Sequence, residues 1–288
     1  MTIKTILVAA RGGTASGGAI DVACRLAQRF CAHLEGYHAR LDIPGAAAAL
    51  GEEAALGPTG MIVESMLAEG KATASEARSL FDTILTRHEI ALDEWPCPVD
   101  GRASASWREE TGYAPELVAS RARFFDLAVL GRSGRAVGEP YSGTIEEVLA
   151  SSGRPVLLAP ANLGASVAST VAIAWNGSPE AVRALTASLP FLSGAEAVWL
   201  ISSQVDDPDS TASAMEYLAR HGVGAAHCDL PDRPGRHIGS LLLDAARSCD
   251  ADLLVMGGYG RAPWRETVFG GTTPEALRET AMPLLLMH

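Results

Sequence analysis

The run Leu253-Leu254-Val255-Met256-Gly257-Gly258-Tyr259-Gly260, followed after nine residues by Gly270-Gly271-Thr272-Thr273-Pro274-Glu275, decides how this chain is read. An apolar run closed by glycines reads as a buried strand ending in a turn. The second glycine pair, running into Thr, Pro and Glu, reads as a helix start. A weaker copy lies upstream: Leu127-Ala128-Val129-Leu130-Gly131-Arg132-Ser133-Gly134, then Ser142-Gly143-Thr144-Ile145-Glu146-Glu147.

Other blocks repeat in the same order. Thr5-Ile6-Leu7-Val8-Ala9 matches Thr170-Val171-Ala172-Ile173-Ala174, and Phe125-Asp126-Leu127 matches Ala251-Asp252-Leu253. Arg154-Pro155-Val156-Leu157-Leu158 matches Met282-Pro283-Leu284-Leu285-Leu286. Conserved order marks a tandem duplication. The spacing between matched blocks is longer in the first copy, which places an insertion at about 42–88. That stretch is alanine-rich and helix-prone, notably Ala46 to Leu50 and Ser75 to Arg87. With a linker at Pro160 to Ser166, the expected domains are 1–161 and 168–288.

In the second copy the pattern predicts strands at 170–175, near 197–202, around 225–230, at 252–256 and at 283–287. Helices are predicted from Pro179 to about Leu189, near 210–221 with Asp209 and Ser210 as caps, near 236–248, and from about Thr272. Such alternation predicts two tandem doubly wound parallel five-stranded α/β sheets, with helices on both faces. Ligands in such sheets bind beyond the carboxyl ends of the strands.

Bulk properties narrow the function. Over 288 residues, 23 basic against 34 acidic side chains give a net charge of −11. That disfavours nucleic acid and an anionic membrane surface as partners, since both require a basic face. No apolar run has the length of a membrane span, and Met1 to Val8 lacks signal-peptide organisation, so a cytoplasmic location is expected. The five cysteines (Cys24, Cys31, Cys97, Cys228, Cys249) form no CxxC and read as reduced thiols.

Gly257, Gly258 and Gly260 allow positive φ or close ligand approach after a buried strand. Gly270, Gly271 and Thr272 offer amides at a helix start, where the helix dipole favours an anion. Arg261 and Arg265 add positive charge between them. Phosphate binding is one reading; tight turns and a simple threonine cap are the other. The pattern is neither a Walker loop nor a dinucleotide fingerprint, because it lacks Gly-Lys-Ser/Thr and follows the fourth strand of its unit.

The spacing Gly257-x2-Gly260-x9-Gly270, the closing Met282-Pro283-Leu284-Leu285-Leu286 and the opening Val171-Ala172-Ile173-Ala174-Trp175-Asn176-Gly177-Ser178 resemble the universal stress protein family, in its tandem two-domain bacterial form. The resemblance covers nearly the whole chain outside the insertion. It implies an adenine nucleotide α-hydrolase-like fold and a stress-response protein holding ATP or AMP, with Mg²⁺, as a regulatory ligand. It places Ala174, Asn176 and Ser203 near adenine or ribose, and Met256, Gly257, Gly258, Gly260, Arg261, Gly270, Gly271 and Thr272 around the phosphates. Asn176 stands where the family's ATP binders usually carry Asp, and Gly271 where they carry Ser or Thr. The first copy departs further: Arg11 takes the Asp position, its glycine loop is two residues shorter, and Glu139-Pro140 sets an acid in that loop and removes an amide donor. The first copy is therefore expected not to bind ATP. The resemblance also implies a pseudo-dimer in which 155–159 pairs with 283–287, and a homodimer of the whole chain. It leaves open a nucleotide-independent scaffold working through dimer surfaces, and a slow ATPase.

Other candidates read as structural. His33 and His38, near Cys31, have no second pair of the kind a metal site needs. Cys24 and Cys31, seven apart, read as buried thiols on one helix face. His227, Cys228 and Cys249 carry only a weak metal or redox signal. Glu146-Glu147 suit a helix start rather than an acid–base pair. No catalytic residue is assigned, and an enzyme is not expected.

Overall fold

The computed structural model describes residues 2–42, 58–93, 101–132, 142–162, 164, 166–203, 208–230, 236, 238–258 and 282–288. Within them the chain runs β1 (Thr5–Ala9), α1 (Thr14–Phe30), β2 (His33–Arg40), α2 (Pro58–Arg87), β3 (Ala91–Leu92), β4 (Ser104–Thr111), α3 (Ala114–Ala122), β5 (Leu127–Gly131), α4 (Ser142–Ser151) and β6 (Val156–Ala159). It continues with β7 (Thr170–Trp175), α5 (Pro179–Leu192), β8 (Ala197–Ser203), α6 (Pro208–Arg220), β9 (Ala226–Leu230), α7 (Ile238–Ser248), β10 (Leu253–Gly257) and β11 (Leu284–Met287).

All strands join one 11-stranded sheet in the order β3-β4-β2-β1-β5-β6-β11-β10-β7-β8-β9. Read outward from the middle, β6-β5-β1-β2-β4 has the same connectivity as β11-β10-β7-β8-β9. The two expected sheets are thus fused edge to edge. The joint is the antiparallel pair β6–β11, with Leu284 opposite Leu158, Leu285 opposite Leu157 and Leu286 opposite Val156. Every other pairing is parallel.

The central strands are buried on both faces, which explains their unbroken Leu, Ile and Val runs. One face is covered by α1, α2, α5 and α6 through Ile20, Phe81, Leu185 and Leu218. The other is covered by α3, α4 and α7 through Val118, Leu149 and Leu242. On α1, Ile20, Ala23, Cys24 and Ala27 follow helical spacing and are all fully buried. Each buried leucine or isoleucine of this kind contributes about 1.5–3 kcal/mol relative to exposure.

The repeated Asp of the Phe125-Asp126 and Ala251-Asp252 blocks has a structural role. Asp126 Oδ2 accepts hydrogen bonds from the backbone N–H of Lys4 (2.8 Å) and Thr5 (3.0 Å). The Asp252 carboxylate does the same for Ser169 (3.0 Å) and Thr170 (2.9 Å). In each half a carboxylate pins the entry of the first strand beside the fourth.

A repeat not apparent from composition lies at two helix ends, Arg87-His88-Glu89-Ile90 and Arg220-His221-Gly222-Val223. Glu89 (φ 54) and Gly222 (φ 74) take left-handed backbone. Ile90 N–H then reaches Leu85 O and Val223 N–H reaches Leu218 O, both at 3.0 Å. Matching these ends shows where the first half is longer. Part of the excess lies before His88, where α2 is 30 residues against 13 for α6. The rest lies between His88 and Ser104 and includes the edge strand β3, which has no counterpart among the described residues of the second half.

Two local expectations are corrected. Helix α6 begins at Pro208, so Asp209 and Ser210 lie inside its first turn and do not precede it. Cys31 does not share a helix face with Cys24; it ends α1 in the left-handed conformation, φ 49, and only Cys24 is buried. The helix expected from about Thr272 lies outside the described residues.

Candidate functional site

The carboxyl ends of β7 and β10 meet the N-terminus of α5, with the end of β8 beside β7. Register sets Trp175 opposite Ser202, and Val255 opposite Ile173. The chain leaves β7 through a tight turn that Asn176 organises: its Oδ1 accepts the Ser178 N–H at 3.1 Å, and Gly177 adopts φ 70. Ser178 then caps α5, its Oγ accepting the Ala181 N–H at 3.2 Å, with Pro179 at the first helical position.

Gly257 is the other half of this junction. A Cβ there would lie 2.8 Å from Ala181 N and from the Glu180 carbonyl carbon, so only glycine lets β10 end against the first turn of α5. Gly131 in the first half meets Ala15 O of α1 in the same way. The glycines repeated after the fourth strands therefore permit strand–helix contact, whatever else they do. Gly258 continues the ladder, its N–H donating to Met287 O at 2.8 Å, while its own carbonyl lies 3.2 Å from His288 Nδ1.

Of the other sequence-derived residues, Ala174 and Met256 are buried in the core face that α7 covers, so their side chains serve packing. Ser203 ends β8 and is half-buried. Asn176, Gly257 and Gly258 sit at strand ends beside the α5 N-terminus. Gly260, Arg261, Arg265, Gly270, Gly271 and Thr272 lie outside the described residues.

The same mouth holds a polar cluster that sequence reading missed. Ser202, buried at 4% exposure, shares a 2.8 Å hydrogen bond with His227 Nε2. Thr211 Oγ1 donates to Ser202 Oγ at 3.4 Å, and Trp175 Nε1 donates to Ser210 Oγ at 3.3 Å. Asp229 Oδ1 lies 3.8 Å from the same His227 nitrogen. Strand alternation puts His227 and Asp229 on one side of β9, but nothing in the sequence couples them to Ser202.

The corresponding mouth of the first half is built differently. Gly13, in place of Ser178, has no side chain to cap α1. The Glu76 carboxylate of α2 instead takes the place of Asn176: its Oε1 accepts the Gly13 N–H at 3.2 Å, as Asn176 Oδ1 accepts the Ser178 N–H. A Cβ on Gly12 would lie 2.7 Å from Glu76 Oε2, so the carboxylate rests directly on this turn. Arg132, where the second half has Gly258, sends Nη2 across the joint to Met282 O at 3.3 Å, and burial pulls its guanidinium down to about 10.

His33 and His38 are structural. His33 bonds Ser104 through Nδ1 and Ser106 through Nε2, both at 2.8 Å, and burial lowers its pKa. His38 Nδ1 donates to Ala10 O at 2.9 Å. No cluster of three or more potential metal ligands occurs among the described residues. No described helix is long and apolar enough to cross a membrane.

No family model and no curated protein matches the chain. Solved structures do resemble it. A universal stress protein from Archaeoglobus fulgidus DSM 4304 superposes with a TM-score of 0.66 at 14% identity, over 98% of this chain and 97% of that one. A functionally unknown protein from Pseudomonas aeruginosa PAO1 does so with a TM-score of 0.52 at 14% identity, over 99% and 92%. At such identities the likeness is one of fold. Over nearly its whole length, the chain has the fold of a universal stress protein.

Proposed function

We propose that the chain is a universal stress protein in which the second half, 168–288, binds one adenine nucleotide as a regulatory ligand, while the first half, 1–161, is a structural partner. The observation that carries this reading is the contrast between the two strand-end mouths. In the second half, Asn176, Ser178 and Gly257 build a tight turn against a helix N-terminus, and Ser202, Ser203 and His227 line its flank with hydrogen-bonding groups. In the first half, the amide equivalent to Ser178 N–H is held by a carboxylate from a distant helix, Glu76, which rests on the turn where the second half has only the local Asn176.

Adenine and ribose would meet the polar flank, and the phosphates the glycine-rich segment beyond Gly258, with Mg²⁺ sharing their charge. Asn176 Oδ1 is already engaged with Ser178 N–H. Its free amide is a donor, where the family's Asp would be an acceptor. Weaker adenine recognition follows.

Thermal unfolding with ATP and Mg²⁺ tests the reading. Ligand at 100 times its dissociation constant stabilises a folded state by about 2.7 kcal/mol. A saturable rise in melting temperature that Gly260→Asp abolishes supports the nucleotide site. A flat response to millimolar ATP, with both proteins folded, favours a nucleotide-independent scaffold.

A further inference from the structure

The second half contains a thiol pair that the nucleotide reading does not use. Cys228 lies mid-strand on β9, the free edge of the sheet, and packs on the core face covered by α7. Cys249 follows the last residue of α7, where its N–H still bonds Ala245 O at 3.1 Å and the chain turns through Asp250 at φ 51. Strand and helix pack against each other, and the Cys228 thiol lies near enough to Cys249 to perturb its titration. Both side chains are half-buried, neither shut away nor fully exposed. Of the other described cysteines, Cys24 is fully buried, and Cys31 lies at the end of α1; like Cys228, whose thiol reaches Asp229 O at 3.9 Å, it touches a backbone carbonyl, Gln28 O, at 3.9 Å.

We propose that Cys228 and Cys249 form a reversible intramolecular disulfide when the protein meets a peroxide, tying the edge strand β9 to the end of α7. The Cys228 thiolate attacks one peroxide oxygen and the O–O bond breaks. Sulfur is oxidised to sulfenic acid, and the leaving hydroxide takes up a proton as water. The Cys249 sulfur then attacks the sulfenic sulfur, its proton departing with the hydroxyl as a second water. Two thiols and one hydrogen peroxide yield one disulfide and two waters. A dithiol reductant reverses the step by exchange.

Burial, the neighbouring Cys228 and the Asp250 carboxylate push the Cys249 thiol up to about 11. The thiolate is the reactive form, so the second step, attack of Cys249 on the sulfenic sulfur, accelerates as pH rises toward that value. The inference stands apart from nucleotide binding and survives or fails independently of it.

The test treats the full-length protein with hydrogen peroxide and maps disulfides by non-reducing peptide mass spectrometry. The expected result is a Cys228–Cys249 cross-link as the dominant product, faster to form at pH 9 than at pH 7 and reversed by dithiothreitol. Closing that loop should also raise the melting temperature of the oxidised protein. Cys228→Ser and Cys249→Ser, both checked for folding by their reduced melting temperatures, should each abolish the cross-link. A dominant disulfide to Cys97, or peroxide oxidation of Cys228 and Cys249 as separate sulfinic acids, would overturn the proposal. So would two free thiols under conditions that oxidise Cys31.

Discussion

The two halves share a strand order, a carboxylate clamp and a glycine contact, yet finish their strand ends in opposite ways. The second caps α5 with its own Ser178; the first leaves α1 to Gly13 and borrows Glu76 from the long helix α2. At the joint, the first half projects Arg132 toward Met282 where the second has Gly258. The scaffold has been copied faithfully, whereas the turn after the first strand is held by the adjacent Asn176 in one copy and by Glu76 from a distant helix in the other. What repeats is the part needed for packing, and what diverges is the part a ligand would touch.

The largest effects should come from the shared scaffold and be alike in both halves. Gly257→Ala drives a methyl into the backbone of Glu180 and Ala181, and Gly131→Ala does so at Ala15. Each should lose about 3 kcal/mol in denaturant unfolding, near the upper end for an overpacked site. A loss confined to one half would break the equivalence. Asp126→Ala and Asp252→Ala remove charge-assisted bonds to two backbone amides apiece, and each should cost about 2 kcal/mol. Unequal losses would show that one half relies more on its clamp.

Capping sharpens the contrast. Ser178→Ala should cost about 1 kcal/mol, because it removes a helix cap, and Glu76→Ala less, because the exposed Gly13 N–H it releases can turn to water. Only Ser178→Ala should also weaken ATP in a thermal-shift titration. An equal ATP penalty from Glu76→Ala would remove the functional distinction between the mouths.

The smallest effect concerns pH. Burial raises the Glu146 carboxyl above its ordinary value, and its Oε2 has no hydrogen-bond partner. The folded state thus holds the proton more tightly than the unfolded one, and stability declines as pH rises from the ordinary carboxylate range through the raised value. Glu146→Gln should flatten that part of the melting-temperature profile; an unchanged profile would mean that the burial has no energetic consequence. This also revises the expectation that Glu146 simply complements the start of α4.

The sequence revealed the scaffold because its signals are local. Unbroken apolar runs such as Leu253 to Met256, breakers such as Pro155 and Pro283, and the recurring Asp before the fourth strand survive in any context. Fusion of the two sheets through β6 and β11 was legible only through the family resemblance, because two short apolar strands preceded by proline do not by themselves specify each other as partners. The site was less so. Ser202 and His227 meet only because β8 and β9 pair, and Glu76 reaches Gly13 across 63 positions of chain. The short strand β3 has two exposed residues and no alternating pattern to betray it. Asn176 looked like a weakened ligand residue; the structure adds that it also holds the turn before α5.

The central proposal is one nucleotide site per chain, in its second half. Isothermal titration of the purified full-length protein with ATP and Mg²⁺, alongside Gly260→Asp, tests it directly by counting. The account predicts one nucleotide per chain for the natural sequence and none for the variant. Two nucleotides per chain, or one that persists in Gly260→Asp, would contradict it.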